Sequence, residues 1–289
     1  MRNILLKIEY DGTEFSGWQR QPQEGVRTVQ ATVEEALSRI CGQDIRIDGT
    51  GRTDAGVHAL GQCATFSGDF GIPADRIAIA ANDIFAQDRL KGGPVRILSA
   101  EEVDPDFHAR FSACGKTYIY RIFNAPHMPV FLRNYRYNVK KPLDIQAMKA
   151  AAAAFEGKHD FAAFMAAGGT PQLTTVRTIY GVRLSVTGDD ADRREDTGAV
   201  GGAGALHIDL AVTGDGFLYN MVRIIAGTLV DVGLGRLAPE EIPEIIAGCD
   251  RQKAGHTAPP QGLYMAEVYF DKDIMKERAA GPFVLKDRS

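Results

Sequence analysis

The chain has 289 residues, 45% of them hydrophobic and 24% charged. That balance excludes wholesale disorder and leaves room for one large or two modest domains. Its 33 basic and 37 acidic side chains give a formal charge of −4, which excludes a uniformly basic nucleic-acid protein but not a local basic face. The cysteines Cys41, Cys63, Cys114 and Cys249 form no CxxC pair and none lies beside a histidine at zinc-ligand spacing. The pattern suits neither a disulfide framework nor a structural zinc site, and reduced thiols fit a cytoplasmic protein.

In chain order, Ile4, Leu6, Ile8 and Tyr10 alternate as a strand closed by Asp11-Gly12. Lys7 and Glu9 interrupt its apolar run, so the start reads as a strand and not as a signal peptide. Residues 28–41 put Val29, Val33, Leu37 and Ile40 on one helical face, with Glu34, Glu35 and Arg39 largely outside it, and Gly42 stops the helix. Strands are expected at 44–48, 58–66 and 95–103, with a helix at 74–86 between the last two. A similar order then returns: strands at 115–124 and 135–139, and a helix from Asp144 to about Phe155. Strands at 176–186 and 205–213 follow, then a helix at 217–232, a short helix after Pro239 and a final strand at 263–270.

Both halves thus read as strands interleaved with two helices. The expectation is an α+β fold of two lobes, residues 1–106 and 107–272, whose sheets join edge to edge, with a charged, loosely held tail at 273–289. Residues 188–204 carry Asp189, Asp190, Asp192, Glu195 and Asp196 before a Gly/Ala run, which reads as a solvated acidic hairpin tip. The apolar stretch 217–234 contains Arg223, Asp231 and several glycines and is no membrane span.

Between Asp106 and Asp144 there is no acidic residue, while Arg110, Lys116, Arg121, Arg133, Arg136, Lys140 and Lys141 alternate with eight tyrosines and phenylalanines. Cations interleaved with rings suit unpaired nucleic acid, because the cations neutralise phosphates and the rings stack on bases. Arg110, Lys116, Lys140 and Lys141 are the candidate phosphate contacts. A strand pair with aromatic core residues and a solvated basic edge would give the same composition.

The most unusual segment is Gly49 to His58, with three glycines in eight residues, where the backbone takes special dihedrals or approaches a ligand closely. Its spacing is neither that of a dinucleotide-binding loop nor that of a phosphate loop. Asp54 in this loop is either a turn-stabilising cap or a reactive carboxylate, and His58 reads as a satisfied strand histidine. Arg223 sits on a helix too apolar for a surface, so its guanidinium either reaches solvent along its stem or meets a carboxylate. If that carboxylate is Asp54, the aspartate is held ionised, as a nucleophile or base requires.

Gly51-Arg52-Thr53-Asp54-Ala55-Gly56-Val57-His58-Ala59 resembles the signature loop of the TruA family of tRNA pseudouridine synthases. Tyr10-Asp11-Gly12-Thr13, Gly17-Trp18-Gln19-Arg20-Gln21 and Thr28-Val29-Gln30 are similar to the family's opening. So are the segments Phe107 to Ala113, Lys116-Thr117-Tyr118, His159-Asp160-Phe161, Thr175 to Ile179, Met221-Val222-Arg223 and Gly262 to Met265, all in family order. The resemblance implies that Asp54 is the catalytic aspartate and that Arg52 helps to displace the target base. It implies further that Tyr118 packs on the flipped uracil, that Arg223 pairs with the aspartate, and that Leu263 lines the other side of the pocket. It implies two ferredoxin-like lobes sharing an extended, mainly antiparallel sheet with the cleft between them. It also implies a homodimer working without metal or cofactor on uridines 38, 39 and 40 of the tRNA anticodon arm. Gln62-Cys63-Ala64-Thr65-Phe66 departs from the family's common Gln-Val-(Val/Ala)-His-Phe. The alternatives are a non-catalytic RNA-binding protein with RRM-like lobes, or a fold-holding Asp54–Arg223 ion pair.

Overall fold

A computed structural model describes residues 1–23, 25–87, 93–169, 172–188 and 204–281. The chain falls into two compact units, Met1–Lys116 with Tyr264–Lys272, and Thr117–Leu263 with Asp273–Ser289. The acidic segment 189–203 lies outside the described residues.

In the first unit, β1 (Arg2–Tyr10) pairs antiparallel with β3 (His58–Gly68) and with β4 (Val95–Val103). β10 (Leu263–Tyr269) adds to β3 in parallel, with Tyr264 opposite His58. The strand order is β4-β1-β3-β10. Ile4, Leu6 and Ile8 are fully buried, as their alternation requires. α1 (Val29–Cys41) begins where Thr28 Oγ1 accepts from Ala31 N and ends at Gly42, whose φ of 67° is left-handed. α2 (Ala74–Gln87) packs against both α1 and β4.

Two expectations for this unit need correction. Glu34 is not outside the apolar face of α1; it is 1% exposed. Residues 44–47 form no strand, and β2 is only Asp48–Gly49, opposite Thr65 and Ala64. The cause is local. Ile45 N donates to Ser38 Oγ at 2.9 Å and Ile47 N to Glu34 Oε1 at 3.1 Å, so α1 side chains take the donors a ladder would need. Ile45 and Ile47 are still buried, which produced the alternating pattern.

In the second unit the strand order is β5 (Gly115–Asn124), β9 (Leu206–Gly214), β8 (Val176–Gly188) and β7 (Gly157–Asp160). The pairs β7–β8 and β8–β9 are antiparallel, and β6 (Tyr137–Val139) lies parallel to β5. α3 (Ile145–Ala153) is capped by Asp144 Oδ1, and it packs against β8 and α4 (Met221–Gly233). α5 (Glu241–Gly248) lies against β7. The α+β class is as expected, and its strand pairing is mixed.

Three further elements differ from expectation. α4 starts at Met221, not 217, because Asn220 has φ 60° and the helix cannot extend back through a left-handed residue. β7 is too short for its alternation to register. The segment from Lys272, expected to be loosely held, forms α6 (Lys272–Ala280), with Met275 and Ala279 buried. A Cβ at Gly181 of β8 would lie 2.5 Å from Ala279 O, so α6 rests directly on that strand. Among the described residues no helix is long and apolar enough to cross a membrane.

Among the described glycines of the second unit the tightest position is Gly227, where a Cβ would lie 1.8 Å from His256 O. Gly227→Ala should therefore force α4 away from the segment 254–258 and lower the unfolding free energy by about 3 kcal/mol. Urea unfolding at neutral pH measures this.

Candidate active site

The Asp54 loop spans residues 50–57 and joins β2 to β3. Its first turn is fixed by three backbone carbonyls. Thr50 N and Oγ1 both donate to Cys63 O at 2.8 Å, and Gln62 Nε2 donates to Gly51 O at 2.9 Å. Lys116 Nζ donates to Thr50 O at 3.0 Å. Past Arg52, the buried Thr53 hydroxyl bonds the Tyr10 hydroxyl at 2.6 Å, and Trp18 N donates to Thr53 O at 3.0 Å. A turn closes the loop, with Val57 N donating to Asp54 O at 3.2 Å and Gly56 at φ 76°. Asp54 is thus held from both sides through main chain, and the residue is partly exposed.

Two glycines outside the loop make the approach possible. A Cβ at Gly12 would stand 2.0 Å from Val57 O, and one at Gly17, whose φ is 94°, would stand 2.7 Å from Thr53 O. His58 is 2% exposed, its Nδ1 accepts from Gly12 N at 3.1 Å, and its ring stacks on Tyr264 at 4.7 Å. It is a structural histidine, as its sequence context suggested. Arg52 is exposed and its Nε donates to Gln19 Oε1 at 3.1 Å.

The basic stretch is divided between the units. In the first, Arg110 is exposed, with its guanidinium 5.8 Å from the ring centre of Phe111, itself 78% exposed. Lys116 is the cation on the Thr50 carbonyl. In the second, Lys140 and Lys141 follow β6 and are exposed. Arg121 and Arg136 both face Asp209 on β9, at 3.7 and 2.9 Å. Two of the seven cations are therefore matched by a carboxylate more than sixty residues further along the chain. Tyr118, Tyr120 and Phe123 are core residues, whereas Phe131 is 87% exposed.

Tyr118, on β5, is 8% exposed, and its ring meets Phe217 edge-on at 5.1 Å, which fixes the ring plane. Arg223 occupies the first turn of α4. Its Nε donates to Ala258 O and its Nη1 to Asn220 Oδ1, both at 2.7 Å. The guanidinium is half-buried and its direction is set by these two oxygens. Leu263 begins β10 and is 7% exposed, after a 3-10 turn at Pro260–Gly262. Asp54 and Arg52 lie in the first unit, and Tyr118, Arg223 and Leu263 in the second. Among the described residues no group of three or more His, Cys, Asp or Glu is placed to hold a metal.

A profile of the family described as tRNA pseudouridine synthase matches residues 7–112 and 151–271. The chain belongs to the tRNA pseudouridine synthase family. It is 46% identical over 270 residues to tRNA pseudouridine synthase A of Ruminiclostridium cellulolyticum, covering 93% of this chain and 100% of that protein. The corresponding identity to tRNA pseudouridine synthase A of Acetivibrio thermocellus is 44%, with the same coverage. tRNA pseudouridine synthase A 2 of Clostridium tetani is 42% identical, over 93% of this chain and 99% of its own length. Membership makes the protein an isomerase and sets aside the non-catalytic alternative.

The sequence did not reveal what holds the family's signature loop. Tyr10, Gly17, Gln62 and the Lys116 amine all grip it; in the sequence the first three stand only as strand or motif positions and Lys116 only as a candidate phosphate contact. Burial, followed by repulsion from Arg110, pushes the Lys116 amine down to about 8 from its ordinary 10.5. The folded chain thus binds this proton less tightly than the unfolded chain. Between about pH 8 and 10.5 the unfolded state holds more protons, so this group's contribution to stability rises with pH, and at pH 7 its charge costs stability in full. Lys116→Met should stabilise the fold at pH 7 by about 1–3 kcal/mol, with the gap closing toward pH 10. Denaturation curves at pH 7, 8.5 and 10 test the sign, and a variant less stable at pH 7 would refute it.

Proposed function

We propose that this isomerase converts uridine to pseudouridine at positions 38, 39 and 40 in the anticodon arm of tRNA. The reaction breaks the N1–C1′ bond, turns the freed uracil and rejoins it to C1′ through C5. The hydrogen leaves C5 for solvent and N1 gains one. No electron is gained or lost, so the chemistry calls for no redox cofactor.

Asp54 is the reactive carboxylate, attacking the sugar or acting as base, and Arg223 is the cation that keeps it ionised. Arg52 displaces the target nucleotide from its stack, which costs a few kcal/mol. Stacking on Tyr118 returns about 1–3 kcal/mol of that, and Leu263 closes the other side of the pocket. Arg110, Lys116, Lys140 and Lys141 supply contacts to the phosphates. Each lobe takes the ferredoxin-like form, and the enzyme works as a homodimer in the cytoplasm.

The observation that carries this proposal is the Asp54 loop. An aspartate is held by main-chain bonds on both sides, partly exposed, within the one segment that also presents Arg52.

Asp54→Asn should bind tRNA with an affinity within about threefold of the parent while losing at least about a thousandfold in rate. The assay is tritium release from C5-labelled uridine in tRNA, and substantial release by this variant would overturn the assignment. Replacing Lys140 and Lys141 by Gln together should reduce the slope of log Kd against log salt by about 1–2. An unchanged slope removes them from the phosphate contacts.

A further inference from the structure

Arg52 is exposed, and its Nε is held by a chain of amides that ends on a buried charge. Arg52 Nε donates to Gln19 Oε1 at 3.1 Å, and Gln19 Nε2 donates to Gln30 Oε1 at 2.8 Å. Gln30 Nε2 in turn donates to Glu34 Oε1 and to Ile47 O, both at 3.0 Å, while Gln30 Oε1 also accepts from Arg20 N at 2.9 Å. Both N–H bonds and both lone pairs of this amide are in use, so Gln30 cannot turn over without losing four bonds. Gln30 and Glu34 stand one helical turn apart on α1, which places them on the same face.

Glu34 gives the chain its polarity. Its carboxylate is 1% exposed and accepts from Ile47 N at 3.1 Å, Arg20 Nε at 2.6 Å and Arg46 Nη1 at 3.2 Å, besides Gln30. A carboxylate only accepts, so it draws the N–H end of Gln30 and leaves the carbonyl end facing Gln19. That presents the Gln19 N–H to Gln30 and turns the Gln19 carbonyl toward Arg52. Each amide hands on the orientation imposed by the one before it. Ile47 O, which also only accepts, and Arg20 N, which only donates, hold Gln30 in the same sense, and the buried charge of Glu34 adds to them.

We propose that Glu34, acting through Gln30 and Gln19, is a positioning residue that sets the direction of the Arg52 guanidinium two residues from Asp54. The inference rests on the role given to Arg52 above. With the chain intact, the guanidinium is pre-oriented when RNA arrives. With it broken, two exposed, flexible side chains must be ordered during the step that displaces the nucleotide. The loss therefore falls on the chemical rate and not on tRNA affinity.

The test uses the full-length enzyme and C5-tritiated tRNA under single-turnover conditions, with Kd measured separately. Gln30→Met, which keeps the volume and removes the amide, should lower the single-turnover rate about tenfold with Kd changed less than about twofold. In an Arg52→Ala background the same substitution should cost less than about twofold, since the end point of the relay is gone. Gln19→Ala, at an exposed position, should reproduce both results and stands in if Gln30→Met does not fold. Equal losses with and without Arg52 would overturn the proposal and mark the network as structural. A slow Arg52→Ala with Gln30→Met and Gln19→Ala at the parent rate would overturn the relay alone. Arg52→Ala at the parent rate would overturn the role of Arg52 and the relay with it.

Discussion

The backbone of Gly17 lies against Thr53 O at a distance that leaves no room for a side chain, and the Asp54 loop is built on that approach. Because Gly17 carries no Cβ and adopts φ 94°, Trp18 N can reach Thr53 O. The same few residues start α1, where Val29 N donates to Gly17 O at 3.2 Å and Gln30 N to Trp18 O at 3.0 Å. Loop 12–18, the beginning of α1 and the Asp54 loop are therefore one hydrogen-bonded assembly. Trp18 fills its base, 2% exposed, with Gly49 bare beneath the indole. A rigid carboxylate on a segment with no secondary structure of its own needs such a frame, since loop residues otherwise sample many conformations.

Much of the fold is legible in the sequence wherever one signal dominates. Ile4, Leu6 and Ile8 alternate because one face of β1 is fully buried, and Thr28 and Gly42 bound α1 by capping chemistry that is written locally. The failures have a common origin in partners distant along the chain. Ile45 and Ile47 alternate as a strand would, but Ser38 and Glu34 take their N–H groups. α6 carries too many charges for its apolar face to stand out, and only contact with Gly181 shows why it forms. The return of β10 to β3 is likewise a pairing between residues about two hundred positions apart, which no local pattern encodes.

The candidate site divides in the same way. The loop around Asp54 was legible as an unusual backbone because three glycines stand within eight residues, while its chemistry is what the family resemblance implies. Its supports were not. Helical periodicity assigns a glutamate at position 34 to the outside, since charge is normally solvated, yet four donors converge on this one. The basic stretch misleads in the opposite sense. Counting cations between Asp106 and Asp144 suggests an unopposed positive run, but Asp209 on a neighbouring strand matches Arg121 and Arg136. Composition records which charges a segment carries and is blind to what folds against them.

Two ionisable groups behind the loop behave differently, and the contrast separates their roles. Glu34 is buried with donors on both oxygens, among them two guanidiniums, so its charge is compensated and its direction fixed. Lys116 is half-buried against a carbonyl oxygen with Arg110 nearby, and its amine is pushed down to about 8, so it stays cationic at pH 7 at a cost in stability. Natural folds keep such a group where a charge is needed for a purpose other than stability. The Lys116 amine stands 3.1 Å from where a Cβ on Gly51 would be, beside the stem that carries Asp54. A positive charge fixed at that stem lowers the cost of holding an anion on the loop it grips, the state that the proposed chemistry calls for.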